Sequence, residues 1–222
     1  MPIPGEVSLA TNGVLFLDEF PEFRRGSIEV LRQPLEERRI HVARLNGNVE
    51  FPADFMLVAA MNPCPCGYYP DRNRCRCTSS QIRRYLSRIS GPLLDRMDLY
   101  LTVPRARIDE LQSEGKQEES SAQVRSRVME ACERQKHRFR DSGILFNADM
   151  RPPDLEKFCP LGSREKGCLR ELFETSGMSV RAYHRIIRVA RTIADLEGQE
   201  NIRENHLYLA YSFRRPEDLK GG

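Results

Sequence analysis

Val14-Leu15-Phe16-Leu17-Asp18-Glu19 is a run of four apolar residues closed by two adjacent carboxylates. The apolar part reads as a short buried strand, and the carboxylates then stand at its C-terminal end. Two further runs share this character. Phe55-Met56-Leu57-Val58-Ala59-Ala60-Met61 ends at Asn62-Pro63, and Leu99-Tyr100-Leu101-Thr102-Val103 ends at Pro104. Near-continuous apolar runs of this length suit a sheet covered on both faces, which points to an α/β protein with parallel strands. Polar residues gather at the C-terminal ends of the first two runs, the edge at which open α/β sheets bind ligands.

Between those two strands, Ile28, Leu31 and Leu35 fall at helical spacing, and Pro34 should kink that helix or end it early. Ile40 to Leu45, then Asn46-Gly47, then Asn48 to Phe51 predicts a β-hairpin, because both central positions of its tight turn favour residues that tolerate positive φ. Beyond Pro104 the patterns turn helical. Residues 105–120 are polar and read as a linker. Val124, Val128 and Cys132 mark a helix of about five turns, with Cys132 expected in the core. Pro152-Pro153 opens a short helix and Ser163 another that ends near Gly177. Ser179 suits the N-cap of a long helix through Leu196 with Gly198 at its stop, and a last helix runs from about Arg203 to Phe213.

The chain has 222 residues, 30% charged and 40% hydrophobic, a profile that supports a globular core. No stretch approaches 18 apolar residues, and Met1 to Glu6 lacks a basic segment followed by an apolar run, so neither a transmembrane helix nor a secretory signal is expected. Seven cysteines without such a signal point to a reducing, cytoplasmic setting. The net charge is only +3, yet of the 35 basic residues all but Lys116, Lys136, Lys157, Lys166 and Lys220 are Arg. Between Asp71 and Arg96 stand Arg72, Arg74, Arg76, Arg83, Arg84, Arg88 and Arg96, opposed by Asp71 and Asp95 alone. That local excess allows contact with nucleic acid.

Asp18-Glu19 after an apolar strand is a Walker B pattern: the first carboxylate can help hold Mg²⁺ on a nucleotide, and the second can orient the attacking water. Alone, the pattern is equally a strand ending in a polar turn. It is followed in order by Asn62 at the end of the next strand, Arg96 before the third, and Arg181 in the first turn of the long helix. Arg181 opposes the helix dipole there, which gives it a functional rather than a stabilising rationale. Arg181, Arg185 and Arg188 share one helix face, a stripe that otherwise reads as solvated surface. Cys64-x-Cys66-x₈-Cys75-x-Cys77 offers four thiolates for one tetrahedral Zn²⁺; the alternative is four reduced thiols on an Arg-rich loop. His41, His137, His184 and His206 have no metal-ligand spacing.

Residues 12–19, 31–36, 58–67, 85–98 and 188–196 resemble the corresponding motifs of magnesium-chelatase-like AAA+ ATPases of the ComM/YifB type, in order over nearly the whole chain. The resemblance implies an α/β chain: residues 1–104 form a partial AAA+ P-loop NTPase core, 105–120 a linker, and 121–222 an all-α lid. It implies that Asp18 and Glu19 are the Walker B pair with ATP and Mg²⁺, that Asn62 is sensor 1 and Arg96 an arginine finger acting in trans. It further implies that Arg181 is sensor 2, that the 40–51 hairpin is the pre-sensor-1 insertion, and that the working form is a hexameric ring.

The departure from the family is the missing G-x-x-x-x-G-K-[ST]; the only Gly-Lys pair is Gly115-Lys116, followed by Gln117. The family carries its P-loop upstream of the point matching Met1, so this chain reads as the C-terminal part of a longer protein and is expected not to hydrolyse ATP on its own. The P-loop strand would lie between residues 55–61 and 99–103, so the run at 99–103 is expected to be poorly paired or re-paired.

Three functions compete. The first is part of an ATP-driven DNA motor, as the ComM type is linked to branch migration in recombination and natural transformation. Arg44 and Asn46 at the hairpin tip and Arg72, Arg74 and Arg76 would then contact phosphates, unless they bridge subunits. The others are a chelatase-type subunit driving metal insertion into a porphyrin, which lacks the cysteine insert, and a non-catalytic interaction module. No membrane partner is expected.

Overall fold

A computed structural model describes residues 3–44, 47–105 and 119–214. They form two compact units that divide between Met97 and Asp98. The first is α/β and the second helical. Among the described residues, no helix is long and apolar enough to cross a membrane.

In the first unit, α1 (Glu6–Leu9) leads into β1 (Val14–Leu17), and a 3₁₀ turn follows at Phe20–Glu22. Two short helices come next, α2 (Arg25–Glu29) and α3 (Arg32–Glu37). Pro34 sits in the first turn of α3, where a missing N–H costs nothing, so the predicted helix is broken as expected. β2 (Arg39–Arg44) and β3 (Gly47–Pro52) form the antiparallel hairpin. Its register closes on Arg44 opposite Gly47, so Gly47 belongs to the strand rather than to the predicted turn. Leu45 and Asn46 lie outside the described residues.

β4 (Met56–Ala59) pairs in parallel with β1, with Val14 opposite Met56 and Leu17 opposite Ala59. Then come α4 (Ser79–Leu86) and α5 (Gly91–Leu94). The Thr78 hydroxyl accepts the Gln81 N–H while the Gln81 side chain accepts the Thr78 N–H, a reciprocal cap that fixes where α4 starts. Phe20, Ile28, Leu31, Ile82, Leu86, Ile89, Leu93 and Leu94 are buried and make the core of this unit.

The expectation of a sheet covered on both faces fails. Val14, Phe16 and Met56 are 58%, 59% and 65% exposed, and Val58 shares their face. The sheet has two strands among the described residues, and no described element covers that side. Residues 99–103 form no strand either. The Tyr100 N–H donates to the Phe213 carbonyl, and Leu101 and Val103 are exposed. An apolar run becomes a strand only if a neighbour takes its backbone groups.

The second unit holds α6 (Ser121–Phe139), α7 (Pro152–Phe158), α8 (Ser163–Ser176), α9 (Val180–Leu196) and α10 (Glu204–Ser212). The expected punctuation is seen. Ser179 Oγ accepts the Ala182 N–H, while Gly177 and Gly198 adopt φ of 58° and 69° at the ends of α8 and α9. The proposed linker falls on residues of which 106–118 lie outside the described residues. Met150, Leu155, Leu169, Ile186, Ile187, Ala190, Ile202 and Leu207 pack together as the core. On α6 the five-turn length is as predicted but the face is not. Ala131, Gln135 and Phe139 are buried, whereas Val124 and Val128 are exposed and Cys132 is only half-buried. The network that Gln135 joins turns that face inward: its Oε1 accepts the buried Asn147 N–H at 2.8 Å.

Candidate nucleotide edge and four-cysteine loop

The parallel pairing of β1 with β4 sets Asp18-Glu19 and Asn62 at one sheet edge, since both strands end there. Two backbone bonds extend the pairing past the strands. The Ala60 N–H donates to the Leu17 carbonyl at 2.9 Å, and the Phe20 N–H donates to the Ala60 carbonyl at 3.0 Å. Phe20 is buried as a plug behind the carboxylates. Glu19 is left at φ 50°, ψ 40°, and its N–H donates to Asp18 Oδ1 at 2.7 Å. A left-handed glutamate is uncommon and costs of order 1 kcal/mol, and such outliers concentrate at functional sites. Both carboxylates are exposed and open to a ligand.

Residues later in the chain lie close to Asn62. The buried Tyr85 phenol of α4, whose pKa is pushed up chiefly by burial, faces the Asn62 backbone. Gly67 lies beside the Asn62 amide at φ 75°, a left-handed backbone that favours glycine. Arg88, just past α4, ties the same region together, donating to the Pro21 carbonyl and pairing with Glu22 at 2.5 Å.

Cys64, Cys66, Cys75 and Cys77 converge, with all four sulfurs within 4.8 Å of one another. Cys64 Sγ is 3.3 Å from Cys66 and 3.8 Å from Cys75, and Cys66 is 3.6 Å from Cys75. These are not disulfide distances. Zn–S bonds of about 2.3 Å in a tetrahedron set sulfur–sulfur edges near 3.8 Å, so the donor set fits one Zn²⁺. Cys64 and Cys75 are buried, and the Tyr69 N–H donates to Cys64 Sγ at 3.4 Å, the kind of outer hydrogen bond that orients a thiolate. The Tyr68 backbone N–H lowers the Cys66 pKa to about 6. Its hydrogen bond to Cys66, followed by burial, pushes the Cys77 thiol up to about 12. Four thiols this close do not all ionise by themselves; a dication is what lets them.

The nominated arginines are held differently. Arg96 donates to the Pro92 carbonyl at 2.7 Å and pairs with Glu36 of α3, leaving its side chain 16% exposed. Arg181 is exposed in the first turn of α9. The stripe it begins is not a solvated surface. Arg185 pairs with Asp98 at 2.9 Å, and Arg188 donates to the Met150 carbonyl at 3.0 Å, its pKa lowered by burial. Arg44 ends β2, and Asn46 lies outside the described residues. Arg72, Arg74 and Arg76 are exposed on the cysteine loop.

Residues 1–111 match the family of magnesium chelatase, subunit ChlI, and residues 118–214 match the C-terminal family of the same subunit. The chain belongs to the magnesium chelatase ChlI family. Within it, the relatives are of the ComM/YifB type. Competence protein ComM of Haemophilus influenzae is 48% identical over 96% of this chain. The YifB proteins of Escherichia coli and Salmonella typhimurium are 46% and 44% identical over the same share. The chain spans 41% of the length of each of these relatives.

Two features of this ChlI-family chain escape a reading of its sequence. One is the Arg96–Glu36 pair, whose partners are distant in sequence. The other is a buried network around Asp195, which takes Arg138, Arg191 and Asn147. The i, i+4 spacing of Arg191 and Asp195 within an apolar stripe is the signal that marks it.

Proposed function

We propose that this chain is part of an ATP-driven motor that acts on DNA as a hexameric ring with an AAA+ core and a helical lid. The observation that carries the ATPase reading is the juxtaposition of Asp18, Glu19 and Asn62 at one edge of two paired parallel strands. In that reading Asp18 helps hold Mg²⁺ on ATP, Glu19 orients the attacking water, and Asn62 senses the terminal phosphate. Arg96 reaches a neighbouring copy's nucleotide once released from Glu36, and Arg181 acts as sensor 2 in the lid. ATP with Mg²⁺ supplies the phosphoryl chemistry; these side chains supply position and charge. The likeness to a protein named Competence protein ComM and the Arg-rich cysteine loop favour DNA as the substrate.

ATP turnover by the full-length protein, measured with and without DNA, tests this. Stimulation by DNA is expected. Turnover indifferent to DNA but coupled to metal insertion into a porphyrin would favour the second reading, which the family description itself supports.

We propose also that Cys64, Cys66, Cys75 and Cys77 hold one structural Zn²⁺. Elemental analysis of protein purified without chelator should find about one zinc per chain, and Cys64→Ser with Cys75→Ser should lose it. A zinc content far below stoichiometric in the unaltered protein would overturn the assignment.

A further inference from the structure

The loop closed by the four cysteines, together with α4, gathers five arginines on one short stretch. Elsewhere in the described residues several arginines have a carboxylate partner: Arg32 with Glu29, Arg39 with Glu50, Arg88 with Glu22, Arg127 with Glu119 and Arg138 with Asp195 are examples. Arg72, Arg74, Arg76, Arg83 and Arg84, on this loop and on α4 just after it, have none among the described residues. The one carboxylate on the loop, Asp71, is turned to its own backbone and accepts the Asn73 N–H at 3.0 Å. Five uncompensated guanidinium groups on one short stretch favour a polyanion.

Two of the five also lie on aromatic rings. The Arg74 guanidinium lies over the Tyr68 ring at 4.6 Å, and the Arg72 guanidinium lies over the Tyr69 ring at 5.0 Å. In both pairs the tyrosine is half-buried and the arginine exposed, so the guanidinium is the outer layer. Tyr69 is anchored to the cysteine cluster through its N–H on Cys64, and Arg72 is steadied by donating to the Cys77 carbonyl at 3.3 Å. A planar cation laid over an aromatic ring offers a flat face. Bases splayed from a single strand stack on such faces, whereas bases inside a duplex are already stacked on each other.

We propose that Tyr68–Arg74 and Tyr69–Arg72 form a stacking platform for the bases of single-stranded DNA, with Arg76, Arg83 and Arg84 taking phosphates. This deepens the DNA reading and rests on it. Tyr68 and Tyr69 are positioning residues here: they carry the guanidinium groups, and the guanidinium groups meet the bases.

The test measures binding of the zinc-loaded chain to oligothymidine and to an abasic strand of equal length, across a series of salt concentrations. The unaltered chain should prefer oligothymidine by about tenfold or more, the size of one stacked base. Arg72→Lys with Arg74→Lys should keep the salt slope and lose that preference, because an ammonium keeps the charge without the plane. Arg72→Ala with Arg74→Ala should also flatten the slope, by about 0.7 per arginine removed. Tyr68→Phe with Tyr69→Phe should behave as the unaltered chain, and Tyr68→Leu with Tyr69→Leu as the lysine variant. Circular dichroism and zinc content show whether each variant is folded, and the phenylalanine and lysine variants carry the test if the leucine one is not.

Equal, salt-dependent binding of both strands by the unaltered chain would overturn the platform and leave the DNA reading standing. No binding of either strand at low salt would overturn both. A change of sedimentation coefficient rather than of affinity in the arginine variants would overturn the proposal by assigning these residues to contacts between copies.

Discussion

Asp195→Ala is expected to destabilise the helical unit by about 3–5 kcal/mol, the cost of stranding buried charges without their counter-charge. Asp195 is fully buried near the C-terminal end of α9, where the helix dipole alone disfavours a carboxylate. It stays because three side chains converge on it. Arg138 grips both oxygens, one of them at 2.8 Å. Asn147 Nδ2 donates to Oδ2 at 2.8 Å, and Arg191 Nη2 stands 3.1 Å from Oδ1. Arg191 is itself 1% exposed and also donates to the carbonyls of Gln199 and Glu200, which pins the turn after α9. Truncating Asp195 therefore leaves the buried Arg191 and the mostly buried Arg138 without their counter-charge and unties three segments together. Thermal unfolding should shift down by more than about 10 °C for a unit of this size. Asp195→Asn, which keeps the shape and removes the charge, should fall between. A loss below about 1 kcal/mol would show that water reaches the network and replaces the carboxylate.

Glu19→Gln should lower ATP turnover of the full-length protein by about 10²–10⁴-fold, the range associated with losing a positioned proton acceptor. Nucleotide binding should survive, because the amide keeps the size of the side chain and Asp18 keeps its charge. Asp18→Asn should do the reverse in part, weakening Mg²⁺-dependent nucleotide binding along with turnover. The left-handed backbone at Glu19 sharpens the expectation. That conformation swings the carboxylate out of the strand's alternation while its N–H fixes Asp18, so the two carboxyl groups are set by one local bend. Turnover by Glu19→Gln within tenfold of the unaltered protein would sink the assignment, and steady-state kinetics beside equilibrium nucleotide binding separate the two effects.

Local chemistry is legible wherever it is decided locally. Ser179, Gly177, Gly198 and Pro152 mark helix ends because caps and positive φ are properties of a few adjacent residues, and the structure places the ends there. The cysteine cluster is legible because its spacing closes one loop. Registers and faces are less so. The hairpin forms where its sequence predicts, but Gly47 is taken into the ladder, since pairing along two strands, not the turn sequence alone, decides where the ladder closes. Val124 and Val128 give the period of α6 but not its buried side, which Gln135 and the Asn147 network determine from a distance. The run at 99–103 reads as a strand by composition and joins no sheet among the described residues. For the site, Asp18, Glu19 and Asn62 come in order along the chain and share an edge, whereas the hold of Glu36 on Arg96 joins residues far apart in sequence and leaves no trace in either.

The half-covered β1–β4 sheet also governs how this chain behaves as a material. Each strand has an outer edge of unpaired N–H and C=O groups among the described residues, beside a face bearing Val14, Phe16, Met56 and Val58. An open edge next to an oily face is a template on which another extended segment can add itself. For the 222 residues on their own, refolding thus competes with strand-by-strand self-association, and the competition tilts with protein concentration. Dilution, rather than any stabilising additive, is the variable that should decide whether these residues are recovered as single chains or as sediment.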